Sequence, residues 1–99
     1  MIAPHDCTTM TEVRVGVDAL DRQIVTLLGE RFRYMEAAAR IKPSRGEVRD
    51  EPRKAQVIAN VREQAVASGV PDSLIARLYD MLIEGSIAYE FDKFDARER

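Results

Sequence analysis

Apolar positions in the first half of the chain recur every three or four residues: Val13, Val17, Leu20, Ile24, Leu27, Leu28, Met35 and Ala38. That is the period of an amphipathic helix, and no proline interrupts it until Pro43. With Thr11 as its side-chain cap, the pattern predicts one helix of about 30 residues, roughly 45 Å long. The segment PSRGEV, residues 43–48, is polar and reads as a loop. DEPRKAQVIANVREQAVASG then opens a second helix, with Asp50 as cap, Pro52 in the first turn and Gly69 as the stop. Pro71 and Asp72 introduce a third helix running to about Asp95, in which Leu74, Ile75, Leu78, Leu82, Ile83 and Ile87 keep the same period. No strand pattern competes, and there are no repeats or low-complexity segments. The expected class is all-α, with a long, a short and a medium helix in each chain. Residues 1–10 read as a loose N-terminal arm, 11–95 as one helical domain and 96–99 as a frayed C-terminus.

Length changes that picture. A chain of 99 residues cannot bury a large core by itself. A first helix of about 45 Å also outruns what two shorter helices can cover, so its apolar stripe is expected to meet a second copy in an intertwined homodimeric bundle. Composition narrows the function. With 15 Lys and Arg against 17 Asp and Glu, the net charge of −2 argues against a general binder of nucleic acid or anionic membrane. The start MIAPHDCTTM has no basic-then-apolar leader, and no stretch has the length of a membrane span, so a cytoplasmic protein is expected. Cys7 is the single cysteine and His5 the single histidine, which leaves no internal disulfide and no metal-ligand set. No metal and no cofactor is expected.

Charges on apolar faces carry the chemistry. Arg31 is 11 residues from Leu20 and 7 from Ile24. At about 100° per residue it points within roughly 20° of both, into the apolar stripe. Lys42, 18 residues past Ile24, returns to nearly the same direction. Buried cations require anions, and on this helix Asp18 and Asp21 flank its distant first half while Glu36 points away. The pair therefore marks either a buried site for an anion or ion pairs to another helix, with Lys42 free to snorkel at the helix end. Arg14 lies 17 residues before Arg31, about 25 Å along the axis, so one small ligand meets both only if they come from two antiparallel chains. An exposed Arg14 at a solvated helix start is equally compatible with the residues. Glu90 raises the converse question, since a carboxylate there falls in line with Tyr79, Ile83 and Phe94.

The run VRVGVDALDRQIVTLLGERFRYMEAAARIK, 13–42, resembles the first helix of the all-helical chorismate mutases and the related isochorismate-pyruvate lyases. The shared pattern is an Arg near the helix start, an aliphatic core, then Arg, then A-x-x-x-K. The resemblance continues through VRDEPRKAQVI, 48–58, with its R-D-x-x-R, and through LIARLYDMLIEGSIAYE, 74–90, with I-x-x-S. It implies a domain-exchanged homodimer with two shared sites for a small dicarboxylate substrate. By position, it implies that Arg31 and the Arg14 of a second chain bind two carboxylates, and that Lys42 contacts a carboxylate and the ether oxygen. Asp50 and Arg53 would line the ring-hydroxyl side, Ser86 would add a polar contact, and Glu90 stands where many members carry a Gln that donates to the ether oxygen.

The implied activity is chorismate mutase, the rearrangement of chorismate to prephenate, with isochorismate-pyruvate lyase, which gives salicylate and pyruvate, as the alternative. In the rearrangement the C–O bond breaks ahead of C–C bond formation, so a clamp and fixed donors to the ether oxygen suffice without nucleophile, metal or cofactor. Guanidinium forks suit the carboxylates and a compact ammonium suits one oxygen. Lys54 departs from the mutase pattern, which has a Glu there, and leaves isochorismate open; Ser86 and the preceding IEG look like the mutase branch. From another class, a non-enzymatic helical dimer would explain the long helix but not Arg31 and Lys42. Glu90 can donate only when protonated, which implies activity rising toward acidic pH; the competing role is an ion-pair partner for Arg31 or Lys42. Arg45, Arg49, Arg62, Glu63 and the terminal DKFDARER read as solvated surface, and Tyr34, Tyr79 and Tyr89 as packing residues.

Overall fold

Thr9, rather than Thr11, starts the first helix. Its hydroxyl accepts the Glu12 N–H at 3.2 Å while the Glu12 carboxylate accepts the Thr9 N–H at 2.9 Å, a reciprocal capping box two residues upstream of the expected cap. The same carboxylate oxygen accepts the Thr8 N–H at 3.0 Å, and these donors, that backbone N–H first, hold Glu12 below its ordinary carboxylate range. In the computed structural model, which describes residues 1–97, α1 spans Met10–Ile41, α2 Glu51–Ala67 and α3 Asp72–Ala96, with 3-10 turns at Pro4–Asp6 and Arg45–Glu47. The chain is all-α: three helices and no strand among the described residues. None of these helices is long and apolar enough to cross a membrane. Glu98 and Arg99, the end of the stretch expected to fray, lie outside the described residues.

The chain divides into two compact units, Met1–Tyr34 and Met35–Arg99, with the boundary inside α1. In the first unit the stripe that defined the helix lies open. Val17 is 49% exposed, Leu20 48%, Ile24 52% and Leu27 61%. The buried apolar side chains, Ala39, Val48, Ala65, Ile83 and Phe94, all belong to the second unit.

In the second unit the loop chemistry behaves as the residue types dictate. Asp50 caps α2, its carboxylate accepting the Arg53 N–H at 3.0 Å, and Pro52 sits in the first turn. At the other end Gly69 adopts a left-handed φ of 71°, which lets Val70 N–H reach Ala65 O at 2.9 Å and Gly69 N–H reach Val66 O at 3.2 Å. That glycine turns the chain into α3, and α2 packs on it through a half-buried face of Lys54, Val57, Ile58, Val61 and Ala65. Along α3 the buried line is Ile83, Ser86, Glu90 and Phe94, the helical spacing expected for Glu90. Phe94 meets Ala39 at the end of α1 and Val48 from the loop, with Ile87 and Phe91 packed alongside.

Ion pairs fasten the loop and α2 to α3. Arg49 grips Glu84 through two nitrogens, at 2.7 and 3.2 Å, and reaches Glu51 at 2.7 Å. Lys54 bridges Glu84 at 2.9 Å and Asp80 at 2.8 Å. Arg45 pairs with Asp95 at 2.9 Å and lies 4.3 Å over the Phe91 ring. The Arg49 guanidinium, then the Lys54 ammonium, hold the Glu84 carboxyl down at about 2. A lowered carboxylate pKa adds stability that is complete above the unfolded value, about 4.5, and disappears as pH falls toward 2. Thermal midpoints measured from pH 6 to pH 2.5 are expected to fall less steeply in Glu84→Gln than in the wild type, the difference opening below about pH 4.5. Parallel curves would mean that solvent screens these half-exposed pairs completely.

Candidate active site

Lys42 is the first residue past α1, and its N–H still donates to Ala38 O at 2.9 Å. The helix therefore sets the direction in which its side chain leaves. The ammonium donates to Glu90 Oε2 at 2.8 Å and to Val48 O at 3.4 Å. The Glu90 side chain is 5% exposed, that of Lys42 28%. A carboxylate so deeply placed is costly unless an opposite charge and hydrogen bonds reach it, and Lys42 meets that demand. Of the two roles weighed for Glu90, this structure shows the ion-pair partner, with Lys42.

Ser86 lies one turn before Glu90 on the same line and is buried. Its hydroxyl donates to Leu82 O at 2.7 Å, a bond back into its own helix. Tyr89, expected only to pack, donates its hydroxyl to Glu36 and so ties α3 to the last turns of α1. Val48 has a double role: its side chain fills the core beside Phe94 while its carbonyl faces the Lys42 ammonium.

The Asp50 carboxylate is engaged in capping α2, and the exposed Arg53 guanidinium donates to Gln56 at 2.6 Å. Arg14, exposed, and Arg31, half-buried, belong to the first unit, on the one continuous helix that spaces them about 25 Å apart. Lys54 spends its ammonium on Asp80 and Glu84. Sequence reasoning missed Arg97. Read as part of a frayed end, it donates to the carbonyls of Ala39, Arg40 and Lys42. Nothing local signals this, because the partners lie more than 50 residues earlier in the chain. Among the described residues no group of three or more His, Cys, Asp or Glu is placed to hold a metal ion.

The arrangement offers an anion a compact positive charge at a helix end, held ready by a buried carboxylate. It also makes the pair interdependent. Lys42→Met, which strands Glu90, is expected to cost about 2–3 kcal/mol in urea unfolding, somewhat under the fully buried case because the ammonium is partly wet. Lys42→Met with Glu90→Leu is expected to recover most of that; losses that simply add would show the two side chains to be independent.

Residues 13–91 match the profile of the family described as chorismate mutase type II. Over 88 residues, 89% of this chain and 87% of the relative, the sequence is 31% identical to the isochorismate pyruvate lyase of Pseudomonas aeruginosa. The matched profile begins just before Arg14 and ends just after Glu90, so it takes in Arg31, Lys42, Asp50, Arg53 and Ser86 as well. The chain is an enzyme of the chorismate mutase type II family.

Proposed function

We propose that this enzyme carries out a pericyclic reaction on an enolpyruvyl ether bearing two carboxylates, at a site completed by a second copy of the chain. The first reading is rearrangement of chorismate to prephenate. The observation that carries the proposal is the Lys42 ammonium, held 2.8 Å from Glu90 at the end of α1, in a chain whose family profile covers 79 residues, 13–91. Breaking the ether bond gathers negative charge on its oxygen, and a fixed ammonium at that oxygen lowers the barrier without proton transfer or a covalent intermediate. Arg31 and the Arg14 of a second chain supply guanidinium forks for the carboxylates, which pin the enolpyruvyl arm over the ring. Asp50 and Arg53 stand at the start of α2 toward the ring hydroxyl, and Ser86 adds a polar contact.

The second copy is argued from surface and length. Val17, Leu20, Ile24 and Leu27 form a stripe on α1 that is about half exposed in the single chain, and the first unit contributes nothing to the buried apolar set. A homodimer with α1 helices antiparallel covers that stripe and brings Arg14 within reach of the partner site, about 25 Å along the axis from this chain's own Arg31. Sedimentation equilibrium is expected to give twice the chain mass, and Arg14→Ala to lower kcat/KM by about a hundredfold while leaving the dimer intact. A monomer with full activity would sink the shared site.

Two observations favour a second reading, release of pyruvate from isochorismate. One is the 31% identity to an isochorismate pyruvate lyase over 89% of this chain. The other is Lys54, which is paired with Asp80 and Glu84 where mutases carry a carboxylate for the ring hydroxyl. The buried, small Ser86 supports the first. One paired assay separates them: prephenate from chorismate without pyruvate marks the mutase, salicylate with pyruvate from isochorismate marks the lyase, and a folded protein that does neither overturns both.

Glu90 bears on the ether oxygen through its hydrogen-bonding capacity. As a carboxylate it holds Lys42 but only accepts, whereas a Gln at this place would donate to the ether oxygen. Glu90→Gln is expected to raise the rate at neutral pH. An unchanged rate in that variant removes the donor role.

A further inference from the structure

Helix α1 ends without the left-handed residue that commonly closes a helix. Its last carbonyls have no intrahelical partner, and such groups carry the negative end of the helix dipole. The usual remedy is a glycine in the left-handed conformation just past the end, as Gly69 provides for α2. After α1 comes Lys42 and then Pro43, and among the described residues Gly69 alone has a positive φ. The carbonyls are met instead from the far end of the chain. Arg97 Nη1 donates to Ala39 O at 2.8 Å, Arg40 O at 3.2 Å and Lys42 O at 2.7 Å, and Nη2 reaches Pro43 O at 3.5 Å. Its guanidinium lies 3.7 Å over the ring of Phe94, the buried residue that packs on Ala39 and Val48. A planar fork with five donors, stacked on a fixed ring, suits several converging carbonyls in a way that a lysine does not.

Lys42 is thereby held at both ends by one helix. Glu90 takes its ammonium at 2.8 Å, and Arg97, seven residues later and just past the end of α3, takes its carbonyl at 2.7 Å. Neither grip repeats the other: the first sets where the charge sits in the free enzyme, the second sets the backbone from which the side chain starts. When an anionic substrate draws the ammonium from Glu90, the backbone grip remains. Interactions at reacting atoms are sensitive to displacements of about 1 Å, so a loose helix end below Lys42 would weaken its action on the ether oxygen.

We propose that Arg97 is a positioning residue, a C-terminal cap supplied to α1 by α3 that fixes the backbone of Lys42 and so aims its ammonium at the substrate. The proposal rests on Lys42 belonging to the substrate site. The test uses the full-length enzyme and whichever of chorismate or isochorismate it turns over, assayed well below the thermal midpoint of every variant. Arg97→Gln is expected to lower kcat/KM about tenfold or more. Arg97→Lys, which keeps a cation under the carbonyls but not the fork, is expected to fall between. The loss caused by Arg97→Gln is expected to shrink severalfold in a Lys42→Gln background, since it acts through Lys42. A lower thermal midpoint with wild-type kcat/KM would reduce Arg97 to a structural cap, and so would a loss of equal size with and without Lys42. Should the Gln variant not fold, the Lys variant decides alone, a severalfold lower kcat/KM supporting the proposal and a wild-type value overturning it. Lys42→Gln separates the two levels. If it is strongly impaired while Arg97→Gln matches the wild type, only the positioning role falls. If it is itself fully active, the site reading fails and the positioning role with it.

Discussion

A carboxylate buried on α3 is the constraint around which the second unit is arranged. Glu90 stands where the helical period calls for an apolar side chain, and an unpaired charge there would cost several kcal/mol. The ammonium of Lys42 answers it, but only if the end of α1, the loop after it and α3 all hold their places. Each has its own fastening. Val48 plugs the loop into the core beside Phe94, Arg45 and Arg49 bind the loop to Asp95 and Glu84, and Arg97 closes the last turn of α1. Packing, capping and ion pairing serve one end: a cation kept at the close of a helix with its partner on another.

The same economy explains which charges are available for chemistry. Lys54, Arg49 and Glu84 neutralise one another across α2 and α3, and Arg62 does the same with Asp72 at 2.8 Å. Such half-exposed pairs contribute little individually. Their larger effect is to keep the start of α2 against α3. Lys42 differs from these because its partner is buried and irreplaceable by water.

The first unit poses the opposite situation. Its helix has an ample apolar stripe and almost nothing buried, so the single chain leaves much of its hydrophobic stabilisation unrealised. The continuity of α1 matters here. Arg14 and Arg31 both lie on the part of α1 that belongs to the first unit, which makes their spacing a matter of helical rise alone.

What the residues determined by themselves was whatever depends on local period and local hydrogen bonding. The three helices, the Asp50 cap, the Gly69 stop and the shared face of Ile83, Glu90 and Phe94 follow from the rise and turn of the α-helix and from the chemistry of Asp and Gly. The cap of α1 falls two residues before Thr11 because Thr8, Thr9 and Thr11 are alike in sequence, and only the reciprocal bonds to Glu12 choose between them. Tertiary structure decided the pairings. That Glu90 meets Lys42, that Lys54 turns to Asp80 and Glu84, and that Arg97 reaches back to α1 are contacts between residues 26 to 58 positions apart. No period or propensity encodes such contacts, since they exist only once the loop has folded α3 against the end of α1.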